Sequence, residues 1–147
     1  VSELGLRALG DALKNAPPQL RHLHLCIAQH GPGAGVCEAL GNGALQLLET
    51  LCMDSLAICD DRMHALSRVL VSLTKLNRLS LEDNQIGPAG MHALAVALAS
   101  VQLSGLYQLF LSNNRIGCDG MVHLADALGK GALAQLRTLT LAGNAIG

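Results

Sequence analysis

Residues 76–87 read LNRLSLEDNQIG, residues 106–117 read LYQLFLSNNRIG and residues 136–147 read LRTLTLAGNAIG. All three share L-x-x-L-x-L-x-x-N-x-I-G at every fixed position, so one structural unit is used several times over, and a repeat has to be recognised before any motif is read. Two looser copies lie upstream, LETLCMDSLAIC at 48–59 and LRHLHLCIAQHG at 20–31. The five copies start at intervals of 28, 28, 30 and 30 residues.

The alternating leucines of L-x-x-L-x-L, Leu79 and Leu81 for instance, predict a short strand with one face buried. A second recurring piece lies between the strands: GLRALGDAL from Gly5, RMHALSRVL from Arg62, GMHALAVAL from Gly90 and GMVHLADAL from Gly120. Leucines four apart, such as Leu94 and Leu98 or Leu124 and Leu128, predict a helix with an apolar stripe packed on the sheet. Each unit therefore reads as strand, turn, helix and return. One such unit cannot close a core alone, and stacked neighbours bury it jointly. Asn84, Asn114 and Asn144 fall where the chain leaves each strand. An amide side chain there both donates and accepts, so it can pair backbone groups that the turn would otherwise bury unsatisfied. Ala28 and Leu56 occupy that slot in the first two copies and cannot supply the amide, which predicts irregular or otherwise rescued turns.

This pattern resembles a leucine-rich repeat of the ribonuclease-inhibitor-like type, the subfamily found in NLR-type receptors. The resemblance implies an α/β solenoid, a horseshoe with a parallel β-sheet on its concave face and α-helices on its convex face. It implies that residues 1–147 form a single leucine-rich repeat domain of about five strand-helix repeats. It also implies that Asn84, Asn114 and Asn144 stack into a ladder. The chain opens on a helix-like piece and stops at Gly147, with no polar capping unit at either end, which suggests a segment of a longer array.

Composition fits this economy: half the residues are apolar, yet there is one Tyr, one Phe and no Trp. Ten basic residues face eleven acidic ones, a balance that favours neither nucleic acid nor an anionic membrane as partner. Five cysteines at irregular spacing, without CxxC, suggest free thiols in a reducing compartment and a cytoplasmic location. No apolar run is long enough to span a membrane.

HGPGAGVCEAL at 30–40 raises the question of a phosphate cradle between strand and helix. A dinucleotide fingerprint needs a third glycine where Val36 stands, and the triphosphate loop is absent. Aligned with IGPAGMHALAVAL, the stretch is the ordinary strand-to-helix turn shortened by two residues, so no nucleotide cofactor is expected. His64 and His92 share the word MHAL and one structural slot, with His123 one position along, a recurrence that points to helix surface rather than catalysis. His22, His24 and Cys26 alternate on one face of the first strand, with Cys52 and Asp54 beside them at the roughly 5 Å strand spacing. These types can bind Zn²⁺, but ligands about 7 Å apart along one strand suit a tetrahedral site poorly, and no metal is expected. No nucleophile elbow, H-E-x-x-H or Ser/His/Asp grouping occurs, so no enzymatic activity is expected.

Binding in this architecture uses the outward strand positions of the concave face. Phe110 is the only phenylalanine and occupies such a slot, and Tyr107, three residues earlier, places both aromatic rings in one strand. Aromatic side chains are enriched among interface hot spots. The expected contact surface is Phe110, Tyr107, Arg78, Glu82, Asp54, His24, Gln108 and Thr140, facing a protein partner. A module that recognises a protein is the leading reading, a regulator of a GTPase like the Ran GTPase-activating proteins is the second, and a zinc- or nucleotide-binding enzyme is a distant third.

Overall fold

The computed structural model of the chain describes residues 3–15, 19–26, 40 and 45–147. Along the chain these form α1 (Glu3–Leu13), β1 (His22–Cys26), β2 (Thr50–Asp54), α2 (Asp60–Leu70), β3 (Arg78–Ser80), α3 (Pro88–Leu98), a 3-10 turn (Val101–Leu103), β4 (Gln108–Phe110), α4 (Gly117–Gly129) and β5 (Thr138–Thr140). The five strands make one sheet in the order β1-β2-β3-β4-β5, every pair parallel. Equivalent positions of the repeat face one another across it, Thr50 beside Arg78, Gln108 and Thr138 in turn. The helical pieces from Gly5, Arg62, Gly90 and Gly120 all appear as helices. The shortened turn at 30–40, Ala28 in the asparagine slot and Cys37 lie outside the described residues.

One face of the sheet is dry. Leu51, Leu79 and Leu109 at the strand centres and Leu66, Leu94 and Leu124 on the helices are all fully buried in one continuous apolar cluster. The helices pack side by side, α3 lying between α2 and α4. Leucines on a helix stripe and leucines on alternate strand positions thus meet, and each unit shares its core with both neighbours. No helix among the described residues is long and apolar enough to cross a membrane.

The turn after each strand follows a fixed geometry. Ser55, Asp83, Asn113 and Gly143 occupy the same slot of successive units, and all have positive φ, between 55° and 71°. A left-handed residue here reverses the chain, and Asp, Asn and Gly accept it at least cost. The next residue is the asparagine of the repeat, buried in all three strong copies. Asn114 Nδ2 donates to the Leu111 carbonyl of its own turn and to the Leu81 carbonyl one unit back, while its Oδ1 accepts from Ile86 N–H of that earlier unit. Asn144 repeats the scheme with Leu141, Leu111 and Ile116. Asn84 does more. Its Oδ1 accepts from both Leu56 and Ile58 N–H at 3.1 and 3.0 Å, and its Nδ2 donates to Met53 and Leu81 carbonyls. The unit that carries Leu56 instead of asparagine is therefore satisfied by its neighbour, with Leu56 itself fully buried. Ala57 in this turn has a φ of +50°, as does Ala145 in the same slot of the last copy.

Two glycines set the spacing between helices. A Cβ on Gly120 would lie 2.5 Å from Ile116 Cγ2, 3.2 Å from Met91 Cβ and 3.4 Å from Pro88 Cα, so α4 approaches α3 as closely as a bare backbone allows. A Cβ on Gly90 would meet the Asp60 carboxylate at 2.6 Å, and that carboxylate already accepts a hydrogen bond from Gly87 N–H. Gly120→Ala is accordingly expected to destabilise. Alanine gains about 1 kcal/mol in a helix interior, but overpacking against the buried Ile116 costs about 1–3 kcal/mol. Thermal unfolding of the variant checks the sign; a raised melting temperature would show that α4 has room to move outward.

Candidate functional site

The alternate strand positions that do not enter the core project from the opposite, open face of the sheet. Pairing places His24 beside Cys52 and Cys26 beside Asp54, then Ser80 beside Phe110 and Thr140. His22, His24 and Cys26 on β1 are exposed. Further along, the face is less open than the sequence suggests: Thr50, Cys52 and Ser80 are buried, at 8%, 7% and 3% exposure. They are short side chains beneath long neighbours, and the surface presented to solvent belongs to the longer residues.

Those longer residues are tied together. The Arg78 guanidinium lies over the Phe110 ring, 4.7 Å from its centroid, and Nη1 donates weakly to Gln108 Oε1 at 3.4 Å. On the other side of Phe110, Thr140 Oγ1 donates to Glu82 Oε1 at 3.0 Å, so the Glu82 side chain reaches across to the last strand. Asp54 Oδ1 accepts from Ser80 Oγ at 2.7 Å and from Glu82 N–H at 2.9 Å. Phe110 is thus half-buried between a cation and a carboxylate-hydroxyl bridge rather than standing free. Arg78 Nε is buried without a hydrogen-bond partner among the described residues. A planar cation held against an aromatic face is worth about 0.5–1 kcal/mol when exposed and more when desolvated.

Tyr107 belongs elsewhere. It precedes β4, its backbone bonding to Asn77 on one side and to Arg137 and Thr138 on the other. Its side chain lines a shallow recess with Gly105, Gln135 and Arg137. The expectation that both aromatic rings share one strand is corrected: β4 begins at Gln108, so Tyr107 lies just before it, and its odd spacing keeps it out of the Phe110 row. The slot that Tyr107 occupies holds, in the first two units, the Arg21 to Glu49 ion pair, 2.6 Å long.

The His22, His24, Cys26, Cys52 and Asp54 group adjoins as read from the repeat, yet no three His, Cys, Asp or Glu side chains among the described residues converge on a metal position. Burial raises the Cys52 thiol above its ordinary range and the Asp54 charge raises it further, with Arg78 opposing. A thiol held protonated is a poor metal ligand and a poor nucleophile.

Comparison with known proteins agrees with this architecture. A family model described as Leucine Rich repeat matches residues 72–95, the helix-flanked unit that begins just before β3. Among solved structures, the chain is similar to the Leiomodin-1 Actin-Binding Site 2, with a TM-score of 0.74 at 20% identity, covering 90% of this chain and 76% of that one. It is also similar to the tropomodulin C-terminal domain of Caenorhabditis elegans, with a TM-score of 0.69 at 13% identity, covering 93% and 82%. A sequence search of curated proteins finds no significant match. The registered units, the parallel sheet and these likenesses show a leucine-rich repeat fold. Identities this low speak for the fold alone.

Proposed function

We propose that the chain is a non-catalytic recognition module that binds a protein partner through the open face of its sheet. That face is the concave inner surface of a horseshoe of ribonuclease-inhibitor-like units, as in NLR-type receptors, acting in the cytoplasm. One observation carries the reading: the Arg78–Phe110 stack, flanked by Asp54, Glu82, Gln108 and Thr140, is a preformed cluster of the residue types that dominate interface energetics. Unit lengths of 28 and 30 residues with full helices between strands support the subfamily. The solved relative named for an actin-binding site supports a protein rather than a small molecule as the ligand class. Nothing specific in these residues favours the GTPase-regulator alternative.

The test compares variants of the two faces. Immobilised wild-type protein, Phe110→Ala with Arg78→Ala, and the helix-face variant Val96→Ser are exposed to the same cytosolic extract, and captured proteins are quantified by mass spectrometry. The open-face double variant is expected to lose a discrete set of proteins at least tenfold while the helix-face variant keeps them. Retention by the first and loss by the second would place recognition on the helices instead.

A further inference from the structure

The helix surface holds a pair of imidazoles that the open-face reading does not use. His92 lies on α3 and His123 on α4. Val122 takes in α4 the slot that His92 takes in α3, so His123, one residue on, is rotated by about 100° around its helix and turned back toward α3. The two Nδ1 atoms come within 3.2 Å. Their ring centroids are 4.4 Å apart and the ring planes cross at 60°. Two lone pairs cannot face each other at that distance, so something electrophilic lies between them, either a proton on one nitrogen or a metal ion shared by both.

The geometry suits the metal ion. Two nitrogens bound at about 2.0–2.1 Å to one tetrahedral Zn²⁺ stand roughly 3.3–3.4 Å apart. The rings cross rather than stack, and a small rotation of either side chain would aim both Nδ1 atoms at one ion. The pair sits at the wall of a recess of about 530 Å³, also lined by Pro88, Asp119 and Val122, which leaves room for water or a further ligand. Asp119 is one turn before His123 on the same helix, so a rotamer change brings a carboxylate toward the pair. No third His, Cys, Asp or Glu side chain among the described residues already closes the sphere.

We propose that His92 and His123 bind one borderline divalent transition metal ion, Zn²⁺, Ni²⁺ or Cu²⁺, through their Nδ1 atoms, with Asp119 or water in the remaining positions. Imidazole is the ligand that suits these ions, whereas Mg²⁺ and Ca²⁺ require oxygen. The ion fastens α3 to α4 on the side of the array away from the open sheet face.

ZnCl₂ is titrated calorimetrically into wild type, His92→Ala, His123→Ala and the control His64→Ala, under reducing conditions near pH 7.5. Both pair variants are expected to weaken one binding event at least tenfold, and His64→Ala is expected to leave it unchanged. Saturating Zn²⁺ should raise the melting temperature of wild type and of His64→Ala but of neither pair variant. His92 is exposed and His123 half-exposed, so the variants fold. Equal affinity in all four proteins, or binding that MgCl₂ reproduces, would overturn the site and leave a histidine–histidine hydrogen bond. Failure here leaves the open-face reading untouched, since that reading depends on none of these residues.

Discussion

Asn84→Ala is expected to cost about 3–5 kcal/mol of folding stability, more than the same substitution at Asn114 or Asn144. The reason is the number and kind of groups it serves. Its Oδ1 is the acceptor for Leu56 and Ile58 N–H, and its Nδ2 donates to Met53, Leu81 and Glu82 carbonyls. Asn84 is 6% exposed, so water does not replace it freely. Each buried donor or acceptor left unsatisfied costs about 1–3 kcal/mol. Asn114 Oδ1 accepts one backbone bond, and Asn144 Oδ1 one long bond at 3.4 Å, so the ordering Asn84 over Asn114 over Asn144 is the discriminating result in urea titrations. Asn84→Asp provides the control. It keeps the acceptor but aims a second oxygen at the Met53 and Leu81 carbonyls, and it is expected to destabilise as well. A loss below about 1 kcal/mol for Asn84→Ala would mean that water enters the turn and the cross-repeat bonds are dispensable.

This asymmetry shows where the sequence is legible and where it stops. The slot pattern L-x-x-L-x-L-x-x-N-x-I-G places every strand, the asparagines and the buried leucines, because those depend on spacing along one unit. It does not say that Asn84 reaches back to a unit lacking its own asparagine, because that bond depends on the lateral stacking of two turns. The same limit explains Cys52. Its parity sets it opposite the buried leucines, yet it is 7% exposed, and that burial depends on side chains of neighbouring strands, whose reach no single-strand pattern contains. Tyr107 is read from sequence as part of the Phe110 strand, but it lies one residue before β4, because a strand's ends are set by pairing with its neighbours and not by its own pattern. His92 and His123 were legible as slots one position apart and not as a pair, since their meeting depends on how closely α3 and α4 lie, which Gly120 permits.

Leu109→Ala and Phe110→Ala, neighbours in sequence, are expected to behave very differently, and the difference tests the assignment of the two faces. Leu109 is fully buried and pairs in register with Leu79 and Leu139 in the shared core. Its truncation leaves a cavity between two units and is expected to cost about 2–5 kcal/mol. Because neighbours share that core, the loss should be felt on both sides of β4, as earlier hydrogen exchange in α3 and α4 together. Phe110 is only half-buried, and its truncation removes the stacking of Arg78, worth about 0.5–1 kcal/mol, together with part of its apolar burial. A total near 1–2 kcal/mol is expected, somewhat more than a free-standing ring would give and clearly less than Leu109. Equal losses from the two would mean that Phe110 is core and that the open face offers no aromatic anchor. With the expected inequality, Phe110→Ala remains folded, and any binding it loses reports recognition by the sheet face rather than collapse of the array.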